Sequence, residues 1–238
     1  PGRSRKSSGG RSQGDLAEPR RLLSLAHLYT FNDGTANDSV GGAHGSLANG
    51  AVVDDEWLTL GNGTTTSGSN PQHAILPGNL LPASDSASLV VWYTTSSVVQ
   101  TGTRVFDLGD GVGTTTGSSL GLTPRSSVGD ARATIRPAGS TERIAARPGG
   151  TNNGFSQMAA VVIDTQAGLL RLYVNGIQAG TGALSGASAA SINHVTTFLG
   201  RSLSSLDVAF TGAIDEFRVY HSALDASDVW SLHGLGAV

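Results

Sequence analysis

AIDEFRVYHSALDASDVWSL, residues 213 to 232, is the stretch of sequence that decides the fold. In its first half, apolar and polar side chains alternate with the period of two residues that is typical of a β-strand. Successive side chains are therefore expected on opposite faces of that strand. The two predicted faces carry Asp215, Phe217 and Val219, and Glu216 and Arg218.

The second half of the same stretch predicts one short C-terminal helix. Asp225 can cap this helix by accepting hydrogen bonds from its first free amides, and Asp228 stands three residues later. Val229 and Leu232 follow at helical spacing and form the apolar stripe that would face inward. The stretch is therefore expected to run from a strand into a helix.

Strand signals recur at short intervals along the rest of the chain. The predicted strands cover residues 27–31, 51–53, 57–60, 88–94, 104–108, 119–123, 132–136, 143–146, 157–163, 169–174 and 197–199. Asn175 and Gly176 stand between LRLYV and IQAG and predict a hairpin, because both tolerate the positive φ angles of a type I′ turn. With 33 glycines and only 14% charged residues, the composition also favours many short strands. We expect one all-β domain over residues 23–238.

The composition excludes several kinds of site and anchor. The 238 residues include no cysteine, which excludes disulfides and thiolate metal sites. No apolar run is as long as a membrane span, and no apolar signal-peptide core stands near the beginning, so no membrane partner is expected. We interpret Pro1 as the start of a protein made in the cytosol without export. A fragment of a longer secreted protein is the alternative.

A basic arm rich in Gly, Ser and Arg occupies residues 1–22, ahead of an acidic domain. Residues 1 to 21 hold six basic and two acidic side chains, a net charge of +4, and the remaining chain carries −7. The basic residues of the arm are Arg3, Arg5, Lys6, Arg11, Arg20 and Arg21. Because the arm has no apolar run with which to fold alone, we expect it to dock on a neighbouring subunit or a scaffold protein. Nucleic acid is a weaker candidate, since the arm has no aromatic residue to stack on bases.

Four segments in order resemble the laminin-G-like members of the concanavalin A-like lectin/glucanase superfamily. They are HLYTFNDGTANDSVGGAHGSLANGA at 27–51, SLVVWYT at 88–94, MAAVVIDTQAGLLRLYVNGIQAG at 158–180 and FLGRSLSSLDVAFTGAIDEFRVYHSALDASDVWSL at 198–232. The most specific feature is an I-D-E-x-R-x-Y strand followed by A-L and, five residues on, V. The resemblance implies a two-sheet antiparallel jelly-roll sandwich with its two chain ends close together. It does not imply one activity, because such domains serve many functions.

The same resemblance implies a structural Ca²⁺ between the chain ends. The positions that match the family's ion ligands are Asn37, Asp38 and Asp215, with Asp33 nearby. Carboxylate and carbonyl oxygens suit Ca²⁺, and Asp215 would be costly to bury on the face of Phe217 without a cation or hydrogen-bond donors. The alternative is that Asp38 caps its own turn and that Asp215 accepts hydrogen bonds from backbone amides or arginine.

The sequence lacks the carboxylate pattern of a glycosidase. Glycosidases with this jelly roll carry carboxylates in a Glu-x-Asp-x-x-Glu pattern, so that the acid and the nucleophile face one cleft. No such pattern occurs here, and the six histidines have no metal-binding spacing. We therefore expect no enzyme activity and no carboxylate pair in a groove.

No sugar-stacking residue can be identified from the sequence. Loops at residues 107–116 and 149–153 carry Asn, Asp and Thr, which can bind sugar hydroxyls. An aromatic platform usually completes a sugar site, but Trp57, Trp92 and Trp230 are all expected in the core. The residues that bind a ligand are therefore unknown at this stage.

Together these features predict a non-catalytic surface-recognition module, for glycan binding or adhesion, in a larger assembly. The basic arm would tether it and the jelly roll would face outward, as in a decoration, fibre or tail component of a bacteriophage virion. The expected partners are other copies of the chain, a scaffold and a cell-surface glycan, and the expected location is a virion surface or the extracellular space. The alternative is a carbohydrate-binding or adhesion domain of a secreted multidomain bacterial protein. A glycoside hydrolase is less favoured.

Overall fold

The computed structural model describes residues 24–61, 69–96, 100–113, 116–151 and 154–238, which form fifteen β-strands and one α-helix. The strands are β1 (Leu25–Tyr29), β2 (Ser46–Ala48), β3 (Val52–Asp54), β4 (Trp57–Leu60), β5 (His73–Pro77), β6 (Ala87–Thr95), β7 (Phe106–Gly109), β8 (Ser119–Thr123), β9 (Ala131–Arg136), β10 (Arg143–Arg147), β11 (Ser156–Asp164), β12 (Leu169–Val174), β13 (Ile177–Ala183), β14 (Thr196–Leu199) and β15 (Gly212–Tyr220). The helix, α1, spans Ala226–Leu235.

The strands form two antiparallel sheets that pack face to face, which confirms the predicted sandwich. The first sheet has the order β13-β12-β11-β6-β15-β4-β3, and β1 also pairs with β15. The second sheet has the order β10-β9-β8-β7-β14-β5-β2. Strands that are distant in sequence, such as β6 and β15, are neighbours in space, so the fold depends on long-range pairing.

One apolar core fills the space between the two sheets. Phe217 on β15 contacts Phe106 on β7 of the opposite sheet, and their ring centroids lie 5.4 Å apart. The ring of Tyr29 on β1 also lies close to Phe217, with the centroids 6.2 Å apart, and all three rings are buried. Burial of each such side chain stabilises the fold by about 1.5 to 3 kcal/mol, so this aromatic contact is one of the main links between the sheets.

Helix α1 covers the outer face of the first sheet. Its cap is the predicted one: Asp225 accepts hydrogen bonds from the amides of Ser227 and Asp228, and Asp228 accepts one from the amide of Asp225. Val229 and Leu232 are buried, as expected, in a second apolar cluster. The strand residues of that cluster are Val90, Trp92, Met158, Ala160, Val162, Tyr173 and Tyr220. In the described part of the chain, no helix is long and apolar enough to cross a membrane.

A β-bulge at Asp215 corrects the predicted alternation on β15. The register with β6 shifts between Ile214 and Glu216, which leaves Asp215 as the extra residue. Ile214 and Phe217 belong to the core, while Glu216 lies on the outer side with Arg218, to which it is hydrogen-bonded. The prediction that Asp215 shares the face of Phe217 is therefore wrong, because the bulge gives that place to Ile214.

Sequence reasoning found the long strands and missed two short ones. The hairpin at Asn175 and Gly176 is confirmed, with φ angles of +50° and +79° at these residues. Strands β2 and β5 were not predicted; β2 has only three residues, and β5 ends at Pro77, a residue that weakens a strand signal. Both lie at one edge of the second sheet.

Candidate functional site

The outward face of the second sheet carries a row of residues that crosses five strands. The strand register places Ile75, Phe198, Asp107, Gly121 and Thr134 opposite one another on β5, β14, β7, β8 and β9. Since side chains alternate along a strand, this row faces away from the core that the neighbouring residues fill. Helix α1 lies on the other sheet, and in the part of the chain that the structure describes no α-helix covers this face.

The segment between β14 and β15, residues 200–211, folds back over the row. The amide of Leu203 donates a hydrogen bond to Oδ2 of Asp107 at 3.0 Å, and the amide of Gly113 donates to the carbonyl of Leu203 at 2.8 Å. Gly121 leaves space for the Asp107 side chain, because a Cβ atom at Gly121 would lie only 3.0 Å from Oδ1 of Asp107. The segment is thus fixed against β7 and against the loop that precedes β8.

A polar cleft of about 180 Å³ lies between this segment and the sheet. The lining residues are Arg104, Asp107, Ser119, Arg136, Glu142, Ser202, Leu203, Ser204 and Asp207. All but Leu203 are polar or charged. Hydroxyl, guanidinium and carboxylate groups donate and accept hydrogen bonds in many directions, which suits a ligand rich in hydroxyl groups.

Asp107 is the buried acid at the floor of this cleft. Its side chain is 6% exposed, and burial raises its pKa to about 6, although the Arg104 charge acts in the opposite direction. Nε of Arg104 lies 3.6 Å from Oδ2 of Asp107, and the same guanidinium donates to the hydroxyl of Thr123. The charges of Asp107 and Arg104 at the floor of the cleft are therefore paired with each other.

The cleft brings two carboxylates together, which sequence reasoning did not expect. The hydroxyl of Ser202 lies 2.7 Å from Oδ2 of Asp207 and 3.2 Å from Oδ2 of Asp107. The two oxygens are therefore within about 6 Å of each other, close to the separation in a retaining glycosidase. In such an enzyme the reacting sugar lies between the carboxyl groups. Here the Ser202 hydroxyl lies within hydrogen-bond distance of both of them.

Asp38, the first predicted metal ligand, is surrounded by hydrogen-bond donors. Four backbone amides donate to its carboxylate at 2.9 to 3.0 Å, and Nδ1 of His27 lies 2.7 Å from Oδ2. Burial would raise the pKa of Asp38, but the hydrogen bonds, chiefly from Leu28 and His27, outweigh it and lower the pKa to about 2. A carboxylate with five donors has no free lone pair for a cation, so this arrangement does not fit a Ca²⁺ ligand.

The other predicted metal residues do not gather around Asp38 either. Asp33 accepts hydrogen bonds from Thr35 and from the side-chain amide of Asn37 at 2.8 Å, within their own turn. Asp215 lies on the bulge, where burial and the charges of Glu216 and Glu56 raise its pKa to about 6. Among the described residues, no three His, Asp or Glu side chains form a group that could hold a metal ion. The calcium ion stays a prediction.

The tryptophans do not all lie in the core. Trp92 is 6% exposed, and the guanidinium carbon of Arg218 lies 4.8 Å from the centre of its ring. Trp57 is half-buried. Trp230 on α1 is 58% exposed, so its predicted core position is wrong. Helix α1 turns Val229 inward and leaves Trp230, the next residue, on its outer side.

The predicted assembly arm lies outside the residues that the structure describes. This applies to all six of its basic residues, from Arg3 to Arg21, and their docking on a partner stays a prediction. The cleft, in contrast, was missed by sequence reasoning. Asp107 falls in one of the polar loops named in the sequence analysis. Its partner Ser202 stands 95 residues later, and no local sequence pattern predicts their contact.

Comparison with known families identifies the same superfamily as the fold does. A profile of the family Laminin_G_3, described as the concanavalin A-like lectin/glucanases superfamily, matches residues 67–230. Among curated proteins, no sequence matches the chain.

Several solved structures share the fold at low sequence identity. Domain 4 of AbnA, a GH43 extracellular arabinanase from Geobacillus stearothermophilus, in complex with arabinotriose, is 22% identical, with a TM-score of 0.67 over 87% of this chain and 97% of that one. Botulinum neurotoxin type C, whose cell entry depends on two ganglioside molecules, is 14% identical, with a TM-score of 0.69 over 92% of this chain and 52% of that one. The CBM40 of a Ruminococcus gnavus sialidase, bound to α2,3-sialyllactose, is 17% identical, with a TM-score of 0.53 over 62% and 81% of the two chains.

Proposed function

The chain belongs to the concanavalin A-like lectin/glucanase superfamily, and on that premise we propose that it is a non-catalytic module that binds a glycan in the polar cleft of the second sheet. The observation that carries the proposal is the lining of the cleft, in which eight of nine residues are polar or charged. The cleft lies on the face that helix α1 does not cover. It is shaped by a segment whose backbone is fixed to the buried Asp107.

The structural relatives support a glycan as the class of ligand. Three of them are an arabinotriose complex, a sialyllactose complex and a toxin that interacts with gangliosides. Their low identity supports no transfer of individual residues. The proposal for the site therefore rests on the side chains of this chain alone.

The position of Ser202 supports binding rather than hydrolysis. A glycosidase needs open space between its two carboxyl groups for the glycosidic bond. Here one hydroxyl contacts both Asp207 and Asp107. Incubation with a bound oligosaccharide should therefore release no new reducing ends, and measurable cleavage would contradict this part of the proposal.

Glycan-array screening followed by titration calorimetry tests the site. Arg136→Ala removes a guanidinium from the cleft wall, and we expect affinity to fall by about tenfold, the loss of one good hydrogen-bonded contact. Arg171→Ala is the matched control, because Arg171 lies on the first sheet and is bonded to Asp164. Equal losses in both variants, or no glycan binding by the unaltered chain, would overturn the proposal.

We further propose that the module works in a larger assembly, outward-facing and tethered by the basic arm. The arm's charge of +4 ahead of an acidic domain supports a docking role. A phage virion is one setting, and a secreted multidomain bacterial protein is the other. The near-complete coverage of one domain of an extracellular arabinanase favours the second. Mass spectrometry of virions and the reading frame around the gene distinguish the two settings.

A further inference from the structure

Arg201 differs from the other arginines on the outward face of the second sheet. Arg104 lies near Asp107 and Asp207, and Arg132 is bonded to Asp130 at 2.8 Å. Arg201 makes no hydrogen bond or ion pair with any residue that the structure describes, and its buried Nε has no partner there. It is half-buried, and its guanidinium carbon lies 4.7 Å from the centre of the Phe198 ring.

A half-buried cation without a counter-charge is unfavourable by itself. Burial lowers the pKa of Arg201, and no neighbouring carboxylate offsets that effect. The contact with the Phe198 ring recovers part of the lost hydration, as cation–π contacts do, but it leaves the buried Nε without an acceptor among the described residues. An anion from outside the chain would supply both the charge and the acceptors.

Arg201, Phe198 and His73 form a small cluster in which only Arg201 is charged. His73 contacts Phe198 edge-on, with ring centroids 5.1 Å apart. Since the carbonyl of Pro71 can only accept, Nδ1 of His73 must donate to it, and burial together with the Arg201 charge lowers the pKa of His73. The imidazole is therefore neutral at pH 7. Arg201 is the one charge of this cluster.

The cluster is continuous with the proposed glycan cleft. Phe198 pairs across the strands with Asp107 on one side and with Ile75 on the other. Ile75 is 36% exposed and offers an apolar surface beside the guanidinium. Arg201 directly precedes Ser202, which lines the cleft. A ligand in the cleft that extends towards β5 would meet an apolar surface and one unpaired guanidinium.

We propose that Arg201 binds the anionic group of an acidic sugar, so that the module selects carboxylated or sulfated glycans over neutral ones. This inference rests on the proposed glycan-binding function and deepens it. A planar guanidinium forms paired hydrogen bonds with a carboxylate or sulfate. The C–H face of the sugar ring would lie along Ile75, and the neutral part of the glycan would occupy the polar cleft.

The test compares 3′-sialyllactose and a 3′-sulfated lactose with lactose by titration calorimetry. We expect each acidic sugar to bind at least about tenfold more tightly than lactose, the effect of one good charge-assisted contact. A preference for one of the two identifies the anion as carboxylate or sulfate. In Arg201→Gln, the ratio of acidic to neutral affinity should fall to about one. Arg201→Lys keeps the charge without the planar fork and should retain only part of the preference.

Arg132→Gln is the matched control, since it removes a cation from the same face whose guanidinium is already bonded to Asp130. It should keep the full preference for acidic sugars. Equal binding of lactose and the acidic sugars would overturn this inference and leave the glycan-binding function standing. Acidic preference that survives Arg201→Gln in a folded variant would also overturn it. No binding of any glycan would overturn both.

Discussion

Nδ1 of His27 lies 2.7 Å from Oδ2 of Asp38, which joins strand β1 to the turn that follows it. The same carboxylate accepts hydrogen bonds from the backbone amides of Leu28, Val40, Gly41 and Ala43. One side chain therefore accepts hydrogen bonds from one amide of β1 and from three amides of the turn. We interpret Asp38 as a structural anchor of strand β1.

We expect Asp38→Asn to lower the free energy of unfolding by about 3 kcal/mol. The asparagine side chain has only one acceptor oxygen, and its NH₂ group would face N–H groups that also donate. Urea unfolding followed by fluorescence measures the change. Asp33→Asn is the control, since Asp33 lies in an exposed turn of the same segment and should cost less than about 1 kcal/mol. Similar effects of the two substitutions would contradict the anchoring role of Asp38.

The predicted calcium ion has a direct test in chelation. The resemblance to the family implies an ion at Asp38 and Asp215, but the five donors around Asp38 leave it no free lone pair. We therefore expect the melting midpoint to stay unchanged in excess EDTA and after addition of CaCl₂. A fall of several degrees in EDTA that calcium restores would establish an ion site and contradict this expectation.

Asp215 should make the protein less stable as the pH rises from about 4 to about 6. Its folded-state pKa is raised to about 6 by burial and by the charges of Glu216 and Glu56. The folded protein therefore holds a proton that the unfolded chain releases, and this contribution is lost as pH rises through that window. Asp215→Asn should flatten the profile and raise Tm at pH 7 by about 3 °C.

Asp164 provides the opposite control for this pH profile. Burial acts to raise the pKa of Asp164, but the hydrogen bond and the charge of Arg171, together with hydrogen bonds from the backbone amides of Ala167 and Gln166, outweigh it and hold the pKa below its usual value. Asp164→Asn should therefore lower Tm at neutral pH, where the ionised carboxylate stabilises the folded state. Calorimetric scans between pH 4 and pH 8 measure both variants. A fall in Tm at pH 7 in Asp215→Asn would show that the carboxylate is stabilising.

Local sequence patterns predicted the fold well because strands and turns follow short-range rules. Continuous runs of apolar residues that favour strands located β6, β11 and β12, and the positive φ angles tolerated at Asn175 and Gly176 located the hairpin. Two features of the site follow from long-range packing instead. The bulge at Asp215 exists only in relation to the register of β6, and the cleft forms because residues 200–211 fold back onto Asp107.

The two tryptophans Trp92 and Trp230 should differ sharply in their effect on stability. Trp92 is 6% exposed and belongs to the apolar cluster under α1, whereas Trp230 is 58% exposed on the outer side of that helix. Removal of a buried tryptophan leaves a large cavity, so Trp92→Ala should cost about 3 to 5 kcal/mol. Trp230→Ala should cost less than about 1 kcal/mol, because most of its ring remains in water in the folded state.

Urea unfolding of both variants measures whether the residues on the buried side of helix α1 contribute more to stability than those on its exposed side. Val229→Ala, one residue before Trp230 and fully buried, should cost more than Trp230→Ala although it removes far fewer atoms. Trp230 also lies on the opposite side of the sandwich from the cleft, so Trp230→Ala should leave glycan affinity unchanged. Loss of glycan binding in Trp230→Ala, with stability retained, would move the binding site from the second sheet to the helix.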